Sequence, residues 1–540
     1  MRVKKNKEKM TILEYLKEDI EKSNEYIIGA IYNNEYVNLN RVIDEDGNIE
    51  LLGISTNYGM KMYRNTLIFI LGYAVEKILK DKKLMVNYQL PNEMYCEIEN
   101  IEINTEILQQ IEQEMKNIIL SKLSIEEIIM TRKEAKEMYA KTNTWKGRLQ
   151  FDLEDNQKIY MYKCHNHYNY FYEIIANNTY IPAVFKLEKY TDGFVIKFPN
   201  RLNVDEIIDE KPSIKLSWGL EEYHDIYQIL NMDKVYKINK LIEDKKIGEA
   251  ILLAEALHEK KIASIADNIK QKRNVKIILV AGPSSSGKTT FAKRLGIQLK
   301  LNGIKTVTLS VDNYFVERDE TPLDENGKYN FEDIDAIDLK LFNNHLIRLL
   351  NKEKVKLPKF DFVQGKKQYN GEYLQLKDDE ILIVEGIHCL NDKLTSAIDK
   401  KYKYKVYISA LTTLHMDRFN RISTTDTRLI RRMVRDFQFR GYSAIDTLHN
   451  WESVNKGEIK TIFPFQEEAD SIFNTSLVYE LFVLKVLAMP LLQKITKNEP
   501  EYKDAKRLIN ILKYFKEVSP ELVPRNSLLK EFLGGGNLEN

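Results

Sequence analysis

Cysteine is nearly absent from this sequence: Cys96, Cys164 and Cys389 are the only three in 540 residues. They lie far apart and form no CxxC pair, which excludes a disulfide framework and suits a reducing compartment. Net charge is nearly absent too, since 81 basic and 80 acidic side chains leave +1. No global field can therefore draw in nucleic acid or acidic lipid, although a local basic site is still allowed. Long apolar runs are missing. The run at 66–75 is too short to cross a bilayer, and the one at 477–492 is interrupted by Glu480 and Lys485. The charged start MRVKKNKEKM leads into no apolar signal core. These absences predict a cytoplasmic protein with no membrane partner. Internal repeats and low-complexity tracts are lacking as well.

What is present is the composition of a protein with real cores, 43% apolar and 30% charged. The length suggests about three domains. Residues 1–57 read as a small α+β module, with a helix at 11–22 and strands at 26–32 and 36–39 joined by Asn33-Asn34-Glu35. Residues 58–225 read as a second α+β domain, with an apolar helix at 63–79 and strands at 185–189 and 193–198. From 226 to 272 the pattern is a helical connector, with Ile247, Ala250, Ile251, Ala254 and Leu257 at helical spacing. In 273–495, short apolar runs at 275–280, 306–311, 381–384 and 404–408 alternate with helical stretches. That alternation predicts an α/β domain built on a parallel sheet. A helical tail, 496–540, closes the chain.

Gly282-Pro283-Ser284-Ser285-Ser286-Gly287-Lys288-Thr289 matches GxxxxGK[ST] in full, between an apolar strand and a helix. In that setting the backbone N–H groups of 282–290, Thr290 included, curl inward at phosphate oxygens, and the helix start adds its positive field. Lys288 reaches the β- and γ-phosphates, and the Thr289 hydroxyl is offered to magnesium. ATP and Mg2+ are the cofactors this predicts.

The strand at 306–311 ends in Asp312. At the carboxyl end of a parallel strand its carboxylate faces the crevice, where it could accept the proton of an attacking hydroxyl or merely cap the strand. The strand at 381–384 ends in Glu385, a candidate magnesium ligand or a simple partner of Lys288. Downstream, Arg428, Arg431, Arg432 and Arg435 fall within about a 100° arc of one helix. Four guanidinium groups on one face suit a lid closing over the triphosphate, with Arg428 also reaching the acceptor. The dense cluster Cys164-His165-Asn166-His167 has the wrong spacing for a tetrahedral zinc site, so surface histidines are expected there.

Residues 275–480 together resemble the uridine kinase and phosphoribulokinase family. The resemblance is carried by GPSSSGKTT (282–290), SVDNYF (310–315), NFEDIDAID (330–338), LPKFDFVQGKK (357–367), IVEGIH (383–388) and DTRLIRRMVRD (426–436). It implies transfer of the ATP γ-phosphate to a nucleoside 5′-hydroxyl with Asp312 as base and Lys288 and Arg428 on the phosphates. It further implies that Glu332 holds the ribose hydroxyls, and that Phe331 and Phe360 lie beside the base. Such kinases usually carry Asp at the position of Glu332, and a tyrosine and a histidine where this chain has Phe360 and Gly365. Gly365 leaves room beside it, so a pocket that tolerates several bases, or prefers one larger than uracil, is expected.

Residues 1–225 resemble the N-terminal region of threonyl-tRNA synthetase, a ubiquitin-like module followed by an editing domain, through Tyr63-Arg-Asn-Thr-Leu and Tyr180-Ile-Pro-Ala-Val-Phe-Lys-Leu. Where that domain carries an HxxxH pair and a CxxxH pair, this chain aligns Asn65, Phe69, Phe171 and Ile175. The leading expectation is an ATP-dependent nucleoside kinase whose partner is a small nucleoside, with a homo-oligomer also compatible. The alternative is an RNA- or tRNA-associated P-loop NTPase acting as a binding or regulatory protein through its N-terminal half.

Overall fold

The computed structural model describes residues 2–3, 9–90, 92–141, 159–208, 214–323, 327, 329–361 and 364–538. Residues 362–363 of the motif at 357–367 lie outside these. In the C-terminal half, five parallel strands stand in the order Lys305–Ser310, Glu380–Glu385, Ile277–Ala281, Lys403–Ser409, Ser471–Asn474. All five side chains of the middle strand are buried. Ile278 and Val280 join one core with Phe291 and Leu295 of the helix Lys288–Leu301. Ile277, Leu279 and Ala281 join another with Phe342 and Leu346. Alternate residues of one strand thus enter opposite layers, which makes the sheet a buried parallel one with helices on both faces.

The strand Ser471–Asn474 was not expected from sequence. It has four residues, and Phe473 is its one buried large apolar side chain, so no periodic signal could form. Ile251, Ala254 and Leu257 of the helix Ile247–Gln271 enter the same core as Phe291, as do Leu508 and Leu512 of Tyr502–Leu512.

In the N-terminal half, the hairpin strands Ile27–Tyr32 and Glu35–Val37 turn through Asn33 and Asn34, both at positive φ, 49° and 59°. Asparagine tolerates that region, and the turn matches the twist of the strands. The helix expected at 11–22 is instead two, Ile12–Tyr15 and Lys17–Glu21, broken at Leu16. The apolar helix runs from Asn57 to Leu79, starting earlier than expected because the Thr56 hydroxyl accepts from the Gly59 N–H. An antiparallel sheet follows in the order Lys186–Tyr190, Gly193–Lys197, Glu93–Ile98, Leu84–Leu90.

The histidine cluster does not lie wholly at the surface. His165 is exposed in a turn, at φ 52°, but His167 is buried. Its Nδ1 lies 2.7 Å from Glu76, and its ring packs 4.7 Å from Phe69 and 5.2 Å from Tyr73. Phe69, Phe171 and Ile175 are buried in one apolar core, and Asn65 donates to Glu173 at 3.1 Å. Three of these four positions offer no metal donor at all. Elemental analysis of the full chain after zinc loading and dialysis is expected to find far less than one zinc per chain, and a stoichiometric amount would contradict this.

The two halves meet across a buried ion network. Arg507 binds Asp426 through both terminal nitrogens at 2.8 Å and reaches Glu173 at 3.2 Å, while Lys61 lies 3.6 Å from both acids. Burial raises the Asp426 carboxyl, but Arg507 and Lys61 outweigh it and hold it at about 2. Asp426 lies in the first turn of the arginine-bearing helix Thr424–Phe439. No described helix is long and apolar enough to cross a membrane.

Candidate active site

The phosphate loop leaves the middle strand at its carboxyl end and turns into Lys288–Leu301. Gly282 sits so close to the next strand that a Cβ there would meet the Ile408 carbonyl oxygen at 2.2 Å. Gly287 holds φ +90° as the helix begins, a conformation glycine adopts without strain. The Lys288 ammonium folds back on the loop, donating to the carbonyls of Gly282 at 3.1 Å and Pro283 at 3.3 Å. The Ser285 and Ser286 hydroxyls are buried and have no hydrogen-bond partner. Buried polar atoms without partners are costly, and a phosphate in the loop would supply the missing acceptors.

The register brings the acids to the loop. Glu385 pairs across strands with Val280 on one side and Ser310 on the other. Asp312 follows, itself exposed, in the 3-10 turn Val311–Tyr314, whose ends are buried and which is anchored by Tyr314 on His345 at 3.0 Å. Burial, and then the Asp312 charge, push the Glu385 carboxyl up to about 7 against the pull of Lys288. Glu332 lies over Gly457, where an added Cβ would meet its own Cβ at 2.4 Å. Burial and Glu458 push it up to about 7 as well, against Arg432 and Lys288. Glu332 and Glu385 therefore each feel the charges of Asp312 and Lys288.

The arginine helix lies against the loop, yet its four guanidinium groups are not equivalent. Arg428 is buried and binds Glu458 through both terminal nitrogens, at 2.5 and 2.6 Å. Glu458 also accepts from the Ser284 N–H at 2.9 Å, inside the phosphate loop. Arg431 is buried on Glu480 at 2.5 Å and on Thr475. Arg432 reaches the Ser284 hydroxyl at 2.9 Å and also Asp436, while Arg435 binds Asp436. All four thus have a buried carboxylate partner, Arg432 and Arg435 sharing Asp436, and Arg432 is the one that touches a loop hydroxyl.

Beside the acids stands a ring cluster. Phe315 is 6.3 Å from Phe331 and 5.6 Å from Phe360. Phe331 is 37% exposed, whereas Phe360 is 6% exposed, so Phe331 offers the free face. The open space expected beside Gly365 does not exist. A Cβ there would lie 2.7 Å from the Arg318 Nε, because the Arg318 side chain fills the position, and the Arg318 backbone N–H also donates to the Gly365 carbonyl.

Sequence reasoning missed Glu458, Glu480 and Arg318. Glu480 carried a signal, since a carboxylate inside an apolar run implies a buried cation partner. Glu458, 30 residues from Arg428, carried none.

Residues 277–479 match the sequence model of the Phosphoribulokinase / Uridine kinase family. A uridine kinase of Lactobacillus helveticus is 30% identical over 175 residues, 32% of this chain and 73% of that one. The chain belongs to this family. A uridine kinase of Halalkalibacterium halodurans is 29% identical over 219 residues, covering 39% of this chain and 94% of that one. Family membership, the complete phosphate loop and the parallel sheet make the C-terminal half a P-loop kinase. A solved structure described as a possible uridine kinase from Bacillus stearothermophilus covers 40% of this chain and 97% of that chain, at 18% identity and a TM-score of 0.28. That score is too low to add to the comparison. The N-terminal part is similar to a threonine–tRNA ligase of Caldanaerobacter subterraneus, 31% identical over 156 residues, 28% of this chain and 24% of that enzyme. This chain therefore spans about a quarter of that relative.

Proposed function

We propose that this kinase transfers the γ-phosphate of ATP to the 5′-hydroxyl of a ribonucleoside. The observation that carries the reading is the register: three neighbouring strands end together and set Asp312 and Glu385 at the mouth of the phosphate loop. In open parallel sheets ligands lie outside these strand ends. The loop amides and Lys288 hold the phosphates, and Arg432 is the guanidinium best placed to join them. Asp312 is exposed and takes the proton of the attacking hydroxyl. Glu332 accepts from the two ribose hydroxyls, and the base lies against Phe331. Magnesium fits a hydroxyl and one or two carboxylates completed by phosphate oxygens, which is what Thr289 and Glu385 offer. When bound it neutralises charge on the transferring phosphoryl group. With Arg428 saturated by Glu458, its contribution is to brace the loop.

Glu332 must be ionised to accept both hydroxyls, and its carboxyl sits near 7 in the free protein. Values of kcat/KM for the nucleoside are expected to rise with pH through about 7 and level off above it. The sign for stability is opposite. A raised carboxyl stabilises the fold at pH below its unfolded value, and that contribution is lost as pH rises toward 7. Glu332→Gln should flatten the rise to the share that Glu385, also raised to about 7, contributes. A flat profile in the unaltered protein would remove Glu332 from the acceptor site.

Ribose is held by a carboxylate and the base by ring faces, so 2′-deoxyuridine should be a poor substrate compared with uridine. Among uridine, cytidine, adenosine and guanosine, kcat/KM should differ less than roughly hundredfold, because apolar faces discriminate by only about 1–3 kcal/mol. A larger preference that disappears in Arg318→Ala would make Arg318 the base reader.

The likeness to part of a threonine–tRNA ligase supports a second reading, a tRNA-associated NTPase. Such a switch needs no hydroxyl-activating carboxylate, and Asp312 counts against it.

A further inference from the structure

The family match ends at residue 479, yet the start of the phosphate-loop helix is covered by a segment well beyond it. The Thr290 N–H donates to the Glu531 carboxylate at 3.0 Å. Leu528 presses on the loop, where a Cβ on Gly287 would meet its Cδ2 at 2.4 Å. Lys293 donates to the Leu538 carbonyl at 2.7 Å, Gln438 donates to the Phe532 carbonyl at 3.1 Å, and the Arg431 guanidinium lies 5.1 Å over the Phe532 ring. The Asn537 N–H donates to the Arg525 carbonyl at 2.9 Å and closes 525–537 into a loop. Gly534, at φ +76°, lies against Phe439 at the end of the arginine helix.

Between this segment and the loop helix is a cavity of about 290 Å³, lined by Thr290, Lys293, Phe439, Ser527, Lys530 and Leu538 among others. That is close to the lower end of small-molecule sites, roughly 300–1,000 Å³. Phe439 is 55% exposed and offers a ring face. Lys293, Arg525 and Lys530 supply positive charge, and Glu531 is the one carboxylate in the lining. That carboxylate sits on a backbone N–H of the cradle that P-loop proteins use for α- and β-phosphates.

We propose that residues 525–538 form the outer wall of the donor-nucleotide site. The base and ribose of the nucleotide occupy this cavity with the base against Phe439, and Glu531 holds the Thr290 N–H until the nucleotide's phosphate takes it. The inference rests on the phosphate-loop reading and adds to it a base site outside the family region. A base stacks on an exposed ring, a ribose suits the neighbouring lysines and serine, and the phosphates then run directly into the loop.

The test titrates magnesium ATP and magnesium tripolyphosphate, which has no base, against the full chain and three variants by calorimetry. Phe439→Ala should weaken ATP about tenfold, the scale of losing a base–aromatic stack, and leave tripolyphosphate unchanged. Glu531→Gln should tighten both ligands by about two- to fivefold, since a competing negative charge at a helix start is removed. Lys288→Ala should weaken both. Unchanged ATP affinity in Phe439→Ala, equal loss of both ligands there, or no tightening in Glu531→Gln would overturn the inference. If Lys288→Ala kept full affinity for both, the phosphate-loop reading itself would fall.

Discussion

Asp312→Asn is expected to lower kcat by roughly 10²–10⁴-fold, the usual span for removing a general base. The change keeps the shape of the side chain and removes its capacity to accept a proton. Asp312 is exposed in a short turn and carries no core packing, so the fold should be unaffected. ATP affinity should change little, because the loop amides and Lys288 are untouched. Removing a negative charge should also let the neighbouring Glu385 carboxyl fall from its raised value, since Asp312 is one of the charges that hold it up. A variant that turned over at near the original rate would make Asp312 a strand cap and leave the kinase without its acceptor base.

Glu458→Ala should be strongly destabilising. It leaves the Arg428 guanidinium buried with its bidentate partner gone, and it strips an acceptor from the Ser284 N–H. Breaking one side of a buried pair costs about 3–5 kcal/mol. A marked drop in the urea midpoint is the expected readout. The double variant Arg428→Met with Glu458→Met should recover most of the stability, because apolar replacement of a whole buried pair is close to neutral. Stability restored without activity would show that the pair shapes the loop for phosphate. Full recovery of activity would reduce the pair to packing.

The phosphate loop was legible because its signal is local: eight consecutive residues, a strand before and a helix after. The strand-end acids were legible for a related reason, since each follows directly on an apolar run. What joins distant segments was not. Arg428 and Glu458 are 30 residues apart, Arg431 and Glu480 are 49, and Thr290 and Glu531 are 241. Helical spacing put the four arginines on one side of a helix, but spacing does not say what that side faces. A buried carboxylate turns a candidate phosphate ligand into half of an internal pair. The same limit explains Gly365, where a missing side chain suggested space until Arg318 was seen to fill it. His167 failed in the other direction, because a short turn places one histidine in solvent and the next strand carries its neighbour into the core.

One measurement decides whether Asp312 and the phosphate loop together phosphorylate a nucleoside. The purified full chain is incubated with magnesium ATP and a panel of ribonucleosides, and the products are resolved by mass spectrometry. A nucleoside 5′-monophosphate formed in equal amount with ADP, and lost in Asp312→Asn, is the predicted result. ATP converted to ADP and free phosphate, with no nucleoside in the panel phosphorylated, would contradict it.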